Sequence, residues 1–365
     1  MRIMTILGTR PEIIRLSRVI PALDRAADHV LVHTGQNFRP ELSDVFFDEL
    51  GVRHPDVRLD AGASGFGAQV GRILAGAAEA IEAARPDRVV ILGDTNSGLS
   101  ALAAARAGVP VFHLEAGNRC YDPRVPEEVN RRVIDHASAV LMPYTHRSAA
   151  NLEREGIERE RVFVVGNPIN EVMRHYADRI DASGALERLG VEPGVYFLAT
   201  LHRAETVDVP ERLRAAVASL GAVAERWGVP VLLSTHPHTA DRLAREGVAS
   251  VDGVRLIEPL GFFDFGKLAR GARCVLTDSG TVQEECCILR LPNVTLRDVT
   301  ERPETVECGS SILAGVEAEN VLRAVEAATA SPPAWTPPPE YVVPDVTSAA
   351  LNIILGRHLL RREAT

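Results

Sequence analysis

Residues 88–117, RVVILGDTNSGLSALAAARAGVPVFHLEAG, hold the pattern from which the fold is read. A β-branched and leucine run, Arg88–Leu92, stops at Gly93-Asp94. An alanine-rich stretch over about 96–107 has helical composition, and a second apolar run, Val111–Leu114, stops at Glu115. Two short apolar runs joined by a helix-length crossover are the signature of a parallel α/β unit.

The same alternation extends in both directions. Upstream, Ile3–Leu7 and Val30–His33 read as strands, and Val140–Met142 follows downstream. Helices are expected over about 11–25, 40–50, 65–84, 127–136 and 146–155. The pattern restarts with strands at Val195–Thr200, Val231–Ser234, Val254–Ile257, Cys274–Thr277 and Asn293–Leu296. Two doubly wound α/β domains are therefore expected, with a boundary near 165–195. The stretch 331–345, SPPAWTPPPEYVVPD, is too rich in proline for helix or central strand. It leads to a terminal segment with helical apolar spacing that can pack back on the first domain.

Composition narrows the function. The chain has 365 residues, 46% hydrophobic and 24% charged, enough for two full cores. A formal charge of −9 argues against a nucleic-acid surface, so an anionic ligand has to be met by local groups. Lys267 is the only lysine and lies in no phosphate-loop or Schiff-base motif. Five cysteines without a CxxC pair read as reduced, mostly buried thiols. The first residues read as a strand rather than a signal peptide, and no run has the length of a membrane span. A cytoplasmic protein is expected, with no membrane or nucleic-acid partner.

In open parallel sheets, ligands bind beyond the carboxyl ends of the strands. The six loops at those ends begin GTRPE, GDTNS, EAGNR, LHRAE, THPHT and DSGTVQEE, and every one carries a charged or titratable side chain. GTRPE lacks the glycines of a dinucleotide fingerprint, and GFGAQVG at 65–71 has the wrong final spacing, which disfavours a nicotinamide enzyme. Ser279 and Gly280 open a helix whose N-terminus suits a phosphate, with Glu284 and Glu285 one turn further in; an ordinary helix cap fits the same residues. Arg10 reads either as a phosphate contact or as a structural ion pair. His202, His236 and His238 read as phosphate contacts, acid/base groups or structural residues, and a zinc site lacks further ligands.

The densest chemistry lies at 113–136, HLEAGNRCYDPRVPEEVNRRVIDH, with five acidic residues and four arginines. Glu115 ends a strand, Glu127 starts a helix behind Pro126, and Asp94 ends the neighbouring strand. Three carboxylates at one site push their pKa values apart, which supplies a general acid and a general base together. A solvated helix face laced with ion pairs also explains Glu128, Arg131 and Arg132, but explains Glu115 poorly.

In order, GTRPE, HTGQN, GDT, H-x-EAG-x-R, PEE-x-NR, GN, HR-x-E, HPH, TDSG-x-x-QEE and RD-x-TERPE make the chain resemble the non-hydrolysing UDP-N-acetylglucosamine 2-epimerases over about residues 1–315. The resemblance implies a GT-B-type fold, two Rossmann-like doubly wound domains with the active site in the cleft between them. Residues 1–175 would form the domain with the catalytic carboxylates, 190–330 the UDP-binding domain, and 331–365 the linker and returning helix.

It further implies Ser279 and Gly280 at the phosphates, Glu285 on the ribose, Phe265 near the uracil, and Arg10 and His202 as additional diphosphate contacts. Arg15, where the family usually has lysine, joins the substrate-binding set. Asp94, Glu115, Glu127 and His202 are the catalytic set. The implied reaction interconverts UDP-N-acetylglucosamine and UDP-N-acetylmannosamine, by anti elimination of UDP to 2-acetamidoglucal and re-addition, without metal or cofactor, in a homodimer.

The Gln-His pair that serves an allosteric UDP-sugar in many bacterial members reads Gln36-Asn37 here. EAGNRCYDPRVPEE, with Asn118 where leucine is common, resembles the branch acting on modified UDP-sugars such as diacetamido uronates and acetamido deoxyhexoses. A glycosyltransferase of the same fold, a hydrolysing epimerase and a non-catalytic UDP-sugar sensor are the remaining alternatives.

Overall fold

The computed structural model describes residues 1–36, 40–63, 65–248 and 250–356, so Asn37 lies outside the described residues. The chain divides into two compact units, Met1–Arg174 with the segment from Glu340 onward, and His175–Pro339. In the first unit the strands are β1 (Arg2–Leu7), β2 (Asp28–His33), β3 (Val57–Arg58), β4 (Arg88–Leu92), β5 (Val111–Leu114) and β6 (Val140–Met142). The second contains β7 (Phe197–Leu201), β8 (Val231–Thr235), β9 (Val254–Ile257), β10 (Val275–Thr277), β11 (Asn293–Thr295) and β12 (Ser311–Leu313).

Among the described residues each unit holds one six-stranded parallel sheet, ordered β3-β2-β1-β4-β5-β6 and β12-β11-β10-β7-β8-β9. Written in chain order within its own unit, the second sheet repeats the first, and both are the Rossmann arrangement. The strand order reverses between β1 and β4, and again between β7 and β10. Those are the switch points beside which such sheets take ligands. Register brings the loops level: Ile6 pairs with Ile91, Leu92 with Leu114, and Thr200 with Thr277.

Burial on both sheet faces explains the unbroken apolar runs. In the first unit Met4, Ile6, Val89, Ile91 and Val111 meet Ala77, Ala80 and Ile81 of the helix Phe66–Ala84 and Ile134 of the helix Glu127–Ala137. In the second, Phe197, Ala199, Val231 and Leu233 meet Leu213, Val217 and Leu220 of the helix Pro210–Trp227. The chain returns to the first unit at Glu340, inside the proline-rich stretch. Asn167 donates to the Glu340 carbonyl at 2.9 Å, and Glu171 caps the helix Val346–Leu355 by accepting from the Val346 and Thr347 amides at 3.0 and 2.9 Å.

Several details differ from the sequence expectations. The helix expected over 11–25 is two helices, Arg10–Leu16 and Val19–Ala26, and the one over 96–107 opens as a 3-10 turn, Asn96–Ser100. Strands β3 and β12 are two and three residues long, too short to show periodicity. The second unit begins at His175 rather than near 190. Helices Ala177–Asp181 and Ala185–Leu189 pack on the helix Phe262–Gly271, and Ser183 donates to Asp264 at 2.6 Å.

Candidate active site

Glu115 leaves the end of β5 with φ +66, left-handed backbone that costs a non-glycine residue about 1–3 kcal/mol. Its amide still donates to Met142 of β6, so the sheet ladder holds it to the point where the chain turns away. The side chain is 5% exposed. One carboxylate oxygen accepts from Arg15 and, at 3.2 Å, from the Tyr144 hydroxyl; the other accepts from the Asn118 amide at 3.3 Å. Arg15 also lies over the Tyr144 ring, 5.6 Å from its centroid. Arg15, expected on substrate, is thus buried against the Glu115 carboxylate instead.

Asp94 follows β4. A Cβ placed on the preceding Gly93 would lie 3.8 Å from the Glu115 carboxylate, which puts these two strand ends side by side. Arg131 holds Asp94 through Nε at 3.1 Å and Nη2 at 2.6 Å. Asn130 donates to the Asp94 carbonyl at 3.1 Å and to Asn96 at 3.0 Å, which stitches the first turn of the helix Glu127–Ala137 to the Asp94 loop. Glu127 is the first residue of that helix and is half-buried.

Its neighbour Glu128 faces a different way. It accepts from the Cys120 and Tyr121 amides at 3.0 and 3.2 Å and from Arg131 at 2.6 Å. Burial pushes the Glu128 carboxyl up, but the Cys120 amide and the Arg131 charge outweigh it and hold the group below its ordinary value. Glu128 therefore anchors the loop, and only Glu127 of the pair remains a candidate for chemistry.

Arg10 begins the helix after β1, its guanidinium 5.5 Å from the Phe46 ring centroid. Two residues on, Glu12 is a buried acid that motif reading passed over. One oxygen accepts from the Gly8 and Thr9 amides at 3.0 and 2.7 Å and from the Thr9 hydroxyl at 2.7 Å; the other accepts from Thr95 at 3.1 Å. Glu12 thereby clips the Arg10 loop to the Asp94 loop. The T-x-x-E spacing of a capping box was the available signal.

Burial pushes the Glu12 carboxyl up to about 7 against these donors, from an ordinary 4.5. A carboxyl raised in the folded state stays protonated longer there than in the unfolded chain. Its ionisation cost is absent below pH 4.5, grows as pH rises, and levels off above about 7. That span corresponds to about 3 kcal/mol. Glu12→Gln, which keeps the shape and removes the titration, is expected to gain thermal stability relative to the parent between pH 5 and 8; melting scans at stepped pH read this, and a gap independent of pH would contradict it.

In the second unit, Asp278 after β10 is fully buried. It accepts from the His202 and Arg203 amides at 2.8 Å each and meets His202 Nδ1 at 2.9 Å. Burial pushes Asp278 up, while His202 and the two amides outweigh it and hold it below its ordinary value. With Nδ1 taken, His202 is left with Nε2 on a half-exposed ring. Ser279 caps the helix Gly280–Leu289, and a Cβ on Gly280 would stand 2.7 Å from Glu301, so the helix starts against a carboxylate held by Arg297 at 2.8 Å and Arg203 at 2.9 Å. Glu284 points inward to an ion pair with Arg302, whereas Glu285 is half-buried. Phe265 is partly buried against the core of this unit. His238 pairs with exposed Asp208 at 2.8 Å, a surface contact.

A family model described as UDP-N-acetylglucosamine 2-epimerase matches residues 21–352. The UDP-N-acetylglucosamine 2-epimerase of Methanocaldococcus jannaschii is 41% identical over 335 residues, 89% of this chain and 92% of that protein. The UDP-2,3-diacetamido-2,3-dideoxy-D-glucuronate 2-epimerase of Pseudomonas aeruginosa is 38% identical over 326 residues, 88% of this chain and 90% of that protein. Among solved structures, the M. jannaschii epimerase in complex with UDP-GlcNAc and UDP matches at a TM-score of 0.93 and 38% identity, covering 97% of this chain and 99% of that one.

Proposed function

The chain belongs to the UDP-N-acetylglucosamine 2-epimerase family and is an isomerase, and from that premise we propose that it interconverts UDP-N-acetylglucosamine and UDP-N-acetylmannosamine by elimination and re-addition. The observation that carries this reading is the gathering of Asp94, Glu115 and the Glu127 helix at adjacent strand ends, with Arg131 and Arg15 fixing the first two. C2 of the sugar has no neighbouring carbonyl, so its proton cannot leave to give a stabilised carbanion. Loss of the C2 proton together with the UDP oxygen from C1 gives an alkene, 2-acetamidoglucal. UDP then re-adds at C1 while C2 is protonated from the opposite face. Acids and bases are required on both sides of the ring, and a negative field favours the cationic character that develops at C1.

In this assignment Asp94, Glu115 and Glu127 serve the sugar, and Arg15 orients Glu115. Ser279 and Gly280 supply the helix N-terminus for the diphosphate, joined by Arg10 and by His202, whose ring Asp278 orients. Glu285 takes the ribose and Phe265 lies near the uracil. No helix among the described residues is long and apolar enough to cross a membrane. A cytoplasmic homodimer is part of the proposal, and light scattering reads the dimer.

The P. aeruginosa relative favours a second reading, C2 epimerisation of a modified UDP-sugar. Proton NMR in deuterium oxide separates the two. With UDP-N-acetylglucosamine the expected result is a manno-configured UDP-sugar carrying deuterium at C2. No exchange with that substrate, but exchange with a diacetamido uronate, would establish the second reading.

A further inference from the structure

We propose that His113 and Asp135 are positioning residues, a buried pair that sets the three carboxylates in register; this rests on the assignment of those carboxylates above. Both side chains are 1% exposed or less. His113, on β5, contacts Asp135 through Nδ1 at 2.9 Å and the Gly93 carbonyl through Nε2 at 2.9 Å. The other oxygen of Asp135 accepts from the Gly117 amide at 3.2 Å and pairs with Arg119 at 2.8 Å; Arg119 continues to Glu155. Gly93 directly precedes Asp94, Gly117 lies two residues beyond Glu115, and Asp135 belongs to the helix that Glu127 begins. One pair therefore grips all three segments that deliver the acids.

Counting hydrogen bonds fixes the protons. A backbone carbonyl only accepts, so Nε2 donates to Gly93. Asp135 already accepts from the Gly117 amide and the Arg119 guanidinium on one oxygen, so its other oxygen is left to accept and Nδ1 donates as well. Donation from both ring nitrogens closes His113 into one buried network with Asp135, Arg119 and Glu155. A buried ion pair of this kind is a strong registry device because losing one member leaves an uncompensated charge.

His113→Asn places an amide near the Nδ1 position, keeping Asp135 within reach and releasing Gly93; Asp135→Asn keeps the shape and removes the charge. Both are expected to lower kcat about tenfold or more with KM within about twofold, because small misplacements of reacting groups cost rate rather than binding. His113→Gln, whose amide reaches the Nε2 position, is expected to recover part of the loss. Independently of whether any variant folds, 15N-histidine NMR of the wild-type protein should show both His113 ring nitrogens protonated. A single protonated nitrogen, or unchanged kcat in folded His113→Asn and Asp135→Asn, would overturn the proposal. Glu115→Gln assayed alongside separates the levels. If it too keeps full turnover, the carboxylate assignment has failed; if it alone collapses, only the positioning role has.

Discussion

Glu115→Gln is expected to lower kcat about 10³-fold while leaving UDP affinity within about twofold. The amide keeps the side-chain volume and one acceptor, so Tyr144 and Asn118 can still be met by rotation of the group. It cannot take or return the C2 proton, and it no longer balances Arg15. Both partners of that ion pair are 5% exposed or less, so removing one charge costs stability by about 3–5 kcal/mol. Turnover is therefore to be compared at a temperature where both proteins are folded, with UDP titrated by calorimetry. Because the UDP contacts proposed here lie mainly on the second unit, a parallel loss of UDP binding would mean that Glu115 serves the nucleotide, and unchanged turnover would remove it from the chemistry.

Gly117→Ala is expected to cost about 3 kcal/mol or more and to abolish turnover. Gly117 has φ +81, and a Cβ there would stand 2.3 Å from the Ser148 carbonyl oxygen, 2.8 Å from its carbon and 2.9 Å from Leu152 Cγ. Two of those atoms are backbone of the helix His146–Arg154, which cannot yield as a side-chain tip does. Any shift would pull on the Gly117 amide that holds Asp135 and on Glu115 two residues before it. The matched control is Gly71→Ala, in the helix Phe66–Ala84 with open space around its Cβ position, where helix propensity favours alanine. Thermal melts should drop by several degrees for the first and stay level or rise for the second; equal melts would contradict the crowding at Gly117.

The EAG motif shows how far local pattern reaches. Alternating apolar runs and helix-length spacers marked every strand longer than three residues, and the loops after β1, β4, β5, β7, β8 and β10 could be named as candidate site loops because strand ends are where parallel sheets bind. Within those loops the sequence assigns Glu127 and Glu285 to the site and Glu128 to an ion-paired helix face, but the physical cause of such a division lies in the packing. Glu127 and Glu128 are adjacent and identical in type, yet Glu128 is buried and ties down the Cys120 loop while Glu127 is half-buried at the helix start. Glu284 and Glu285 divide the same way around Arg302. Which of two consecutive helical residues turns inward depends on the rotation of the helix about its axis, and packing sets that rotation.

Long-range pairing lay further out of reach. Arg15 and Glu115 are 100 residues apart and meet only because β1, β4 and β5 are neighbours in the sheet. His113 was a motif letter without a role until β4 and the helix Glu127–Ala137 closed on its two nitrogens. Short-range periodicity is written into each longer segment, so the sequence by itself determined two α/β units, their longer strands and the loops that carry the acids. Strand order, helix rotation and the partner of each buried charge arise from the burial of all segments together. Only the tertiary structure decided that Arg15 serves Glu115, that Glu12 clips two loops, and that one histidine reaches the segments of three carboxylates.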